Sequence, residues 1–259
     1  MKRINQAGLG HLVLILGIVI VIVIGFAGWK VISKPAADND DKAKSSQPKQ
    51  QGTSEKEADI SLQNLGLLSF DSIDITTQAT REFSTKNLKG FYIFGDKLSG
   101  GRTNPNFEYA SVKAGSKVVS SIDGVVGFIN QQQDSKDSEV FIQPKEGSAW
   151  TIGYDHIANV AVKKGDVVKA GDVLGEPAVQ NNGLLRFEIQ INKDENSITT
   201  HYCPTTLLAN SVKEKWLTDL TAMQNRWESV TKLELYDLAS QNPVGCTTKT
   251  LTPKQAEGG

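Results

Sequence analysis

The sequence predicts a mainly β protein, an antiparallel β domain with one N-terminal transmembrane helix and one C-terminal amphipathic helix. Three observations carry this. Residues 61–208 break into short runs of β-branched and aromatic residues separated by Gly, Asn and Asp. Residues 12–29 are apolar and carry no charge. Beyond residue 209, apolar side chains recur in steps of three and four.

At about 1.5 Å per residue, the uncharged run nearly matches a hydrocarbon core of roughly 30 Å, and Val31 with Ile32 extends it. Such a run has no polar side to turn to water, so a membrane helix over 12–33 is a better reading than a buried core helix. A cleaved signal peptide is the rival reading, but the run is long for one and no small-residue cleavage site directly follows it. Lys2 and Arg3 make residues 1–11 a short cytoplasmic N-terminus, which places a single-pass chain in the cell membrane with its bulk outside the cytoplasm. Residues 34–60 are rich in Asp, Lys, Ser and Gln with almost no large apolar side chain, the composition of a disordered linker. A net charge of -1 with 39% apolar residues describes ordinary folded domains and offers nothing to nucleic acid.

Within 61–208 the best strand candidates are 91–94, 117–120, 125–129, 140–142, 150–152, 159–162, 173–174 and 186–191. Alternation at Phe70, Ile73 and Ile75 adds one or two more. The stretch V-K-A-G-S-K-V-V beginning at Val112 is echoed by V-K-K-G-D-V-V beginning at Val162, so Gly115 and Gly165 mark equivalent turns ahead of β-branched strand starts. The helix expected over 209–241 has an apolar face of Val212, Trp216, Leu220, Met223, Trp227, Val230 and Leu233. Two Trp on one stripe favour packing against the β domain over a coiled-coil or partner-binding role. Asn242 and Pro243 end it, and 242–259 reads as a flexible tail. Cys203 and Cys246, both in the exported part, are a candidate disulfide with free thiols as the alternative.

Along the chain come Phe94-Gly95, Asn104-Pro105-Asn106-Phe107-Glu108, Asp123-Gly124-Val125-Val126, Tyr154-Asp155-His156, the glycine-punctuated run 162–175, and Leu184-Leu185-Arg186-Phe187-Glu188. This order resembles the LytM or lysostaphin-like zinc metalloendopeptidases, whose fold is a duplicated hybrid motif of barrel-sandwich type. The family's H-x-G-x-D falls on Asn104 to Glu108, and its H-x-H falls on Leu184 to Arg186. Only His156 keeps its type, at the position of a catalytic histidine that does not bind the metal. The resemblance therefore implies a degenerate member without the metal ligands, since an amide is a poor zinc ligand and a guanidinium offers no lone pair. The zinc expected of the family is not expected here. The implied binding cleft comprises Asn104, Glu108, His156, Leu184 and Arg186, with Arg186 and Glu108 either ion-paired at the metal position or solvated on a rim.

The function this implies is that of a membrane-anchored, exported and noncatalytic domain, a pseudoenzyme of the bacterial envelope, whose partner is peptidoglycan or a cell-wall hydrolase. One alternative is an active cell-wall metalloendopeptidase with a rearranged metal site, which requires His201, Glu108 and His156 to converge. Another is a membrane-fusion pump adaptor, which carries a long helical hairpin between its half-motifs; residues 130–145 are too few for one.

Overall fold

Alternation of apolar and polar side chains from Leu185 to Asn192 makes β9, Leu185–Glu195, the central strand. Phe187, Ile189 and Ile191 turn into the core, while Arg186, Glu188, Gln190 and Asn192 lie on the opposite face. The fold was obtained as a computed structural model that describes residues 57, 59–75 and 89–257. The expected transmembrane helix, and all but the end of the expected linker, lie outside those residues. Among the described residues no helix is long and apolar enough to cross a membrane.

The other strands are β1 (Phe91–Tyr92), β2 (Phe107–Val112), β3 (Val118–Val119), β4 (Gly124–Gln131), β5 (Ser138–Gln143), β6 (Trp150–Ala158), β7 (Val167–Val168), β8 (Val173–Val179), β10 (Ile198–Tyr202) and β11 (Thr250–Leu251). Every strand pairing is antiparallel, and the main path runs β1-β2-β9-β8-β6-β5-β4-β7. β6 also pairs directly with β9 from Trp150–Lys193 to Asp155–Glu188, after which β8 enters between them at Ile157–Pro177 and Ala178–Arg186. The sheet forks at that point. His156 turns into the left-handed region there, with φ 58°.

The inner face is aromatic: Tyr109 stacks on Phe187 at 4.4 Å and Phe91 meets Phe107 edge-on at 5.2 Å. Gly115 and Gly165 have φ of 82° and 89° with open space where a Cβ would lie, so backbone conformation rather than crowding calls for glycine at both turns of the near-repeat.

Several expectations are corrected. Residues 159–162 form no strand, because Asn159 adopts φ 48° and carries the chain out of the ladder. β2 lies outside the expected strands, since its apolar residues are interrupted by Glu108 and Ser111. Around Phe70, Ile73 and Ile75 there is a 3-10 turn, Phe70–Ser72, and a single bridge from Ile73 to Val112 in place of strands.

The C-terminal helix α1 spans Asn210–Thr231, not 209–241, because Lys232 adopts the left-handed cap at φ 61°. Trp216, Leu220, Met223 and Trp227 are buried against the β domain, whereas Val230 is 46% exposed. Trp227 lies so close over Gly90 that a Cβ there would stand 2.1 Å from its ring. Trp216 meets Phe70 edge-on at 5.4 Å, and beyond α1 the Tyr236 hydroxyl donates to Phe91 O at 2.8 Å. The helix therefore packs on its own domain.

Nor are residues 242–257 a flexible tail. Cys203 and Cys246 form a disulfide, both fully buried. Phe94 N donates to Gly245 O at 3.1 Å, Thr247 N donates to Phe94 O at 3.0 Å, and β11 pairs with β10. A short helix, α2 (Pro253–Glu257), comes after β11. A covalent link and two stretches of backbone pairing hold this polar segment, where its composition promised no burial.

Candidate functional site

The β2–β9–β6 register places Glu108 opposite Glu188 and Glu188 opposite Asp155, so three carboxylates share a row on the outward sheet face. Arg186, two residues before Glu188, projects to the same face. Its Nη1 lies 3.5 Å from Glu108 Oε1 and its Nη2 lies 3.7 Å from Glu188 Oε1. Arg186 Nη2 also meets His156 Nε2. That imidazole is oriented from behind, where Nδ1–H donates to Asp137 Oδ2 at 2.7 Å from the β4–β5 loop. In the neutral imidazole the Nε2 lone pair faces the guanidinium, whereas in the imidazolium Nε2–H is on the side of Glu188 and Asp155. His156 Nε2 is also 3.6 Å from both Asp155 and Glu188.

A second ring of contacts holds these groups. Asp155 Oδ1 accepts from Gln132 Nε2 and from the backbone N–H of His156, each at 2.7 Å. Asn106 Nδ2 donates to Glu188 Oε2, and Gln190 Nε2 donates to Asn106 Oδ1 at 2.6 Å.

Burial and the Glu188 charge push Glu108 up to about 7, against the pull of Arg186 and His156. Glu139, on β5 beside the same row, is also pushed up to about 7 by burial and by Asp155 and Glu188. Burial raises Asp155. It would raise Glu188 too, but the hydrogen bond from His156 and the charges of His156 and Arg186 hold that carboxyl below its ordinary value. Burial acts to lower His156, yet its contacts with Glu188, Asp137 and Asp155 bring it out above its ordinary value.

Of the residues singled out in sequence, Glu108, His156 and Arg186 meet. Asn104 lines the neighbouring groove, but its amide is committed to backbone: Nδ2 donates to Ile93 O at 3.1 Å and to Asn106 O at 3.0 Å, and Oδ1 accepts from Asn106 N at 3.2 Å. Leu184 is not a cleft residue. It sits in the turn before β9, where its N–H donates to Asn182 Oδ1, and its side chain packs on the apolar core. His201 stands apart, bonded to Asn192 Oδ1 at 2.7 Å on β10, so His201, Glu108 and His156 do not form one group. Among the described residues, the group of ligand-type side chains close enough to share a metal is Asp137, Asp155 and His156, with atoms within 4.8 Å of one another. Sequence reasoning missed Asp137, Asp155, Glu188 and Glu139. Asp155 adjoins His156 and Glu188 lies in the Arg186-Phe187-Glu188 motif, so both had a signal; Asp137 had none.

Arg186 and its carboxylates stand between two grooves. One of about 800 Å³ is lined by Tyr92, Arg102, Asn104, Asn106, Glu108 and Glu188 and is bordered by Ala256 and Glu257 of α2. The other, of about 550 Å³, runs past His156 to Asp134, Asp137, Gln180 and Asn182. Arg186 lines both.

The model of Peptidase family M23 matches residues 108–198, a span that includes Glu108, Asp137, Asp155, His156, Arg186 and Glu188. Among solved structures, lysostaphin of Staphylococcus simulans is similar at 20% identity and a TM-score of 0.39, over 47% of this chain and 50% of that one, so this chain spans half of lysostaphin's length. A variant catalytic domain of the prophage-encoded M23 protein EnpA from Enterococcus faecalis is similar at 20% identity and a TM-score of 0.34, over 40% of this chain and 82% of that one. A zinc-containing peptidase from Vibrio cholerae is similar at 20% identity and a TM-score of 0.36, over 50% of this chain and 36% of that one. No curated protein matches. The fork of the antiparallel sheet and the meeting of Glu108, His156 and Arg186 thus both lie within residues 108–198, the segment that matches the model of Peptidase family M23.

Proposed function

We propose that this chain is a noncatalytic M23-type domain that binds peptidoglycan or regulates a cell-wall hydrolase through its cleft, while an N-terminal helix anchors it in the membrane from outside the cytoplasm. The observation that carries the reading is the Arg186 guanidinium, lying against Glu108, Glu188 and His156. A catalytic zinc takes three lone-pair donors and keeps a fourth position for water. At the family's ligand positions this chain offers an amide bonded to backbone, one carboxylate, and a fixed cation that would repel a second one. These residues do not fit zinc. The Cys203–Cys246 disulfide supports an oxidising compartment outside the cytoplasm, in keeping with export.

The test uses the full chain in detergent micelles, replenished with zinc and desalted, with zinc measured by elemental analysis and cleavage by release of fragments from purified peptidoglycan. The expected result is far less than one zinc per chain, no fragments, and either cosedimentation with the wall material or a change in the rate of an added wall hydrolase. One tightly held zinc together with fragment release would sink the proposal.

A second reading, an active enzyme with a rearranged site, is favoured by the Asp137, Asp155 and His156 group. It requires Arg186 to leave His156 Nε2, because Nδ1 is already engaged by Asp137. Zinc binding that disappears in Asp155→Asn would support it.

A further inference from the structure

The outward sheet face continues past the carboxylate row onto the β4–β5 hairpin. Gln190 is opposite Gly153, Gly153 opposite Phe141, and Phe141 opposite Phe128, so these four share a row next to the one that holds Asp155 and Glu188. On β5, Glu139 and Phe141 both point outward while Val140 and Ile142 are buried. Gly153 has no side chain to separate them: a Cβ there would be 3.4 Å from both Glu139 Oε1 and Phe141 Cε1. A carboxyl and an aromatic ring therefore lie side by side. Beyond them Phe128 is 53% exposed, its ring 5.8 Å from that of Phe141 at 35°.

An aromatic pair with an adjoining carboxyl is suited to a group that is apolar along its length and cationic at its end. The methylene stem covers apolar surface while the ammonium meets the negative ring face and the carboxylate. Neutral apolar ligands would gain nothing from the acid, and anions would be repelled by it. Of the charged groups acting most strongly on Glu139, Asp155 and Glu188 favour a cation and His156 opposes one, while Arg186 is paired with Glu188. The corner is also continuous with the cleft, since the loop joining β4 to β5 supplies Asp137 to His156.

We propose that Phe128, Phe141 and Glu139 form a subsite for an ammonium-bearing side chain of an extended peptide, with its stem on the two rings and its charge at Glu139. This rests on the reading of the cleft as a binding surface and names the chemistry that one end of it takes.

The experiment, at pH 8 where Glu139 is ionised, titrates the isotope-labelled full chain in micelles with N-acetylated, C-amidated Ala-Lys-Ala, and separately with the same tripeptide carrying norleucine in place of lysine. The lysine peptide is expected to shift the Gly153 and Phe141 amides and the Phe128 ring, and to bind about tenfold more tightly than the norleucine peptide. Glu139→Gln should abolish that preference. Phe128→Ala, on an exposed site that leaves the fold intact, should weaken both peptides about two- to tenfold. Equal binding of the two peptides, a lysine preference that survives Glu139→Gln, or shifts confined to other faces would overturn the subsite. None of those results bears on zinc content or peptidoglycan cleavage, so this inference and the noncatalytic reading fail separately.

Discussion

Glu108 and Glu188 stand opposite each other in the β2–β9 register, and the one guanidinium of Arg186 lies 3.5 Å from the first and 3.7 Å from the second. Two carboxylates set together on a half-buried face repel, and Arg186 is the cation within reach of both. Its removal should therefore cost stability according to how many of the two are ionised.

Arg186→Met is expected to lower stability by about 1–3 kcal/mol at pH 8, below the cost of breaking a fully buried pair because the site is partly solvated. At pH 5.5 Glu108, pushed up to about 7, is already protonated and the loss should be much smaller. Urea unfolding of both proteins at the two pH values checks this. An equal loss at both would mean that Arg186 acts through packing alone.

Stability should fall as pH rises from about 4.5 to about 7. Glu108 and Glu139 hold protons in the folded chain up to about 7, while the unfolded chain releases them near 4.5. The folded state binds the extra protons in that window, and each group contributes a slope of at most about 1.4 kcal/mol per pH unit. His156 adds the same sign, since its raised value gives stability that is lost as pH rises through it. Glu188 acts oppositely and only at the acid end, its contribution fading as pH falls below the ordinary carboxylate range. Glu108→Gln and Glu139→Gln should each flatten the profile of urea midpoints between pH 5 and 8.

Replacing Cys203 and Cys246 with Ala opens a link across 43 residues, worth about 4 kcal/mol in the chain-entropy account. The thermal midpoint should drop, and amide exchange should rise first in 242–257, where the backbone pairings to Phe94 and β10 would stand without the crosslink. Unchanged exchange there would show that pairing alone holds the segment.

Gly90→Ala places a methyl where the Trp227 ring already lies, 2.1 Å from the new carbon. Overpacking of this kind costs about 1–3 kcal/mol. Denaturant unfolding followed by tryptophan fluorescence checks it, and a neutral result would show that α1 shifts freely on the β domain.

The features legible in the sequence were those with a short period or a fixed local conformation. Residues 186–191 were marked as a strand, now within β9, the three-and-four spacing of Trp216, Leu220, Met223 and Trp227 marked the buried stripe of α1, and Gly115 and Gly165 marked turns that need positive φ. Sequence alone also placed a guanidinium at Arg186 where the family pattern has an imidazole.

Only the tertiary structure decided which distant residues share a row. Glu108, Glu188 and Asp155 meet because three strands far apart in sequence pair in one register, and Asp137 reaches His156 because the β4–β5 hairpin carries it there. A register is chosen by the sum of contacts along all paired strands, so no local window contains it. The end of α1 at Lys232 and the packing of 242–257 have the same origin: the body against which these residues lie, and the disulfide that ties them to it, outweigh a helical pattern and a polar composition that locally say otherwise.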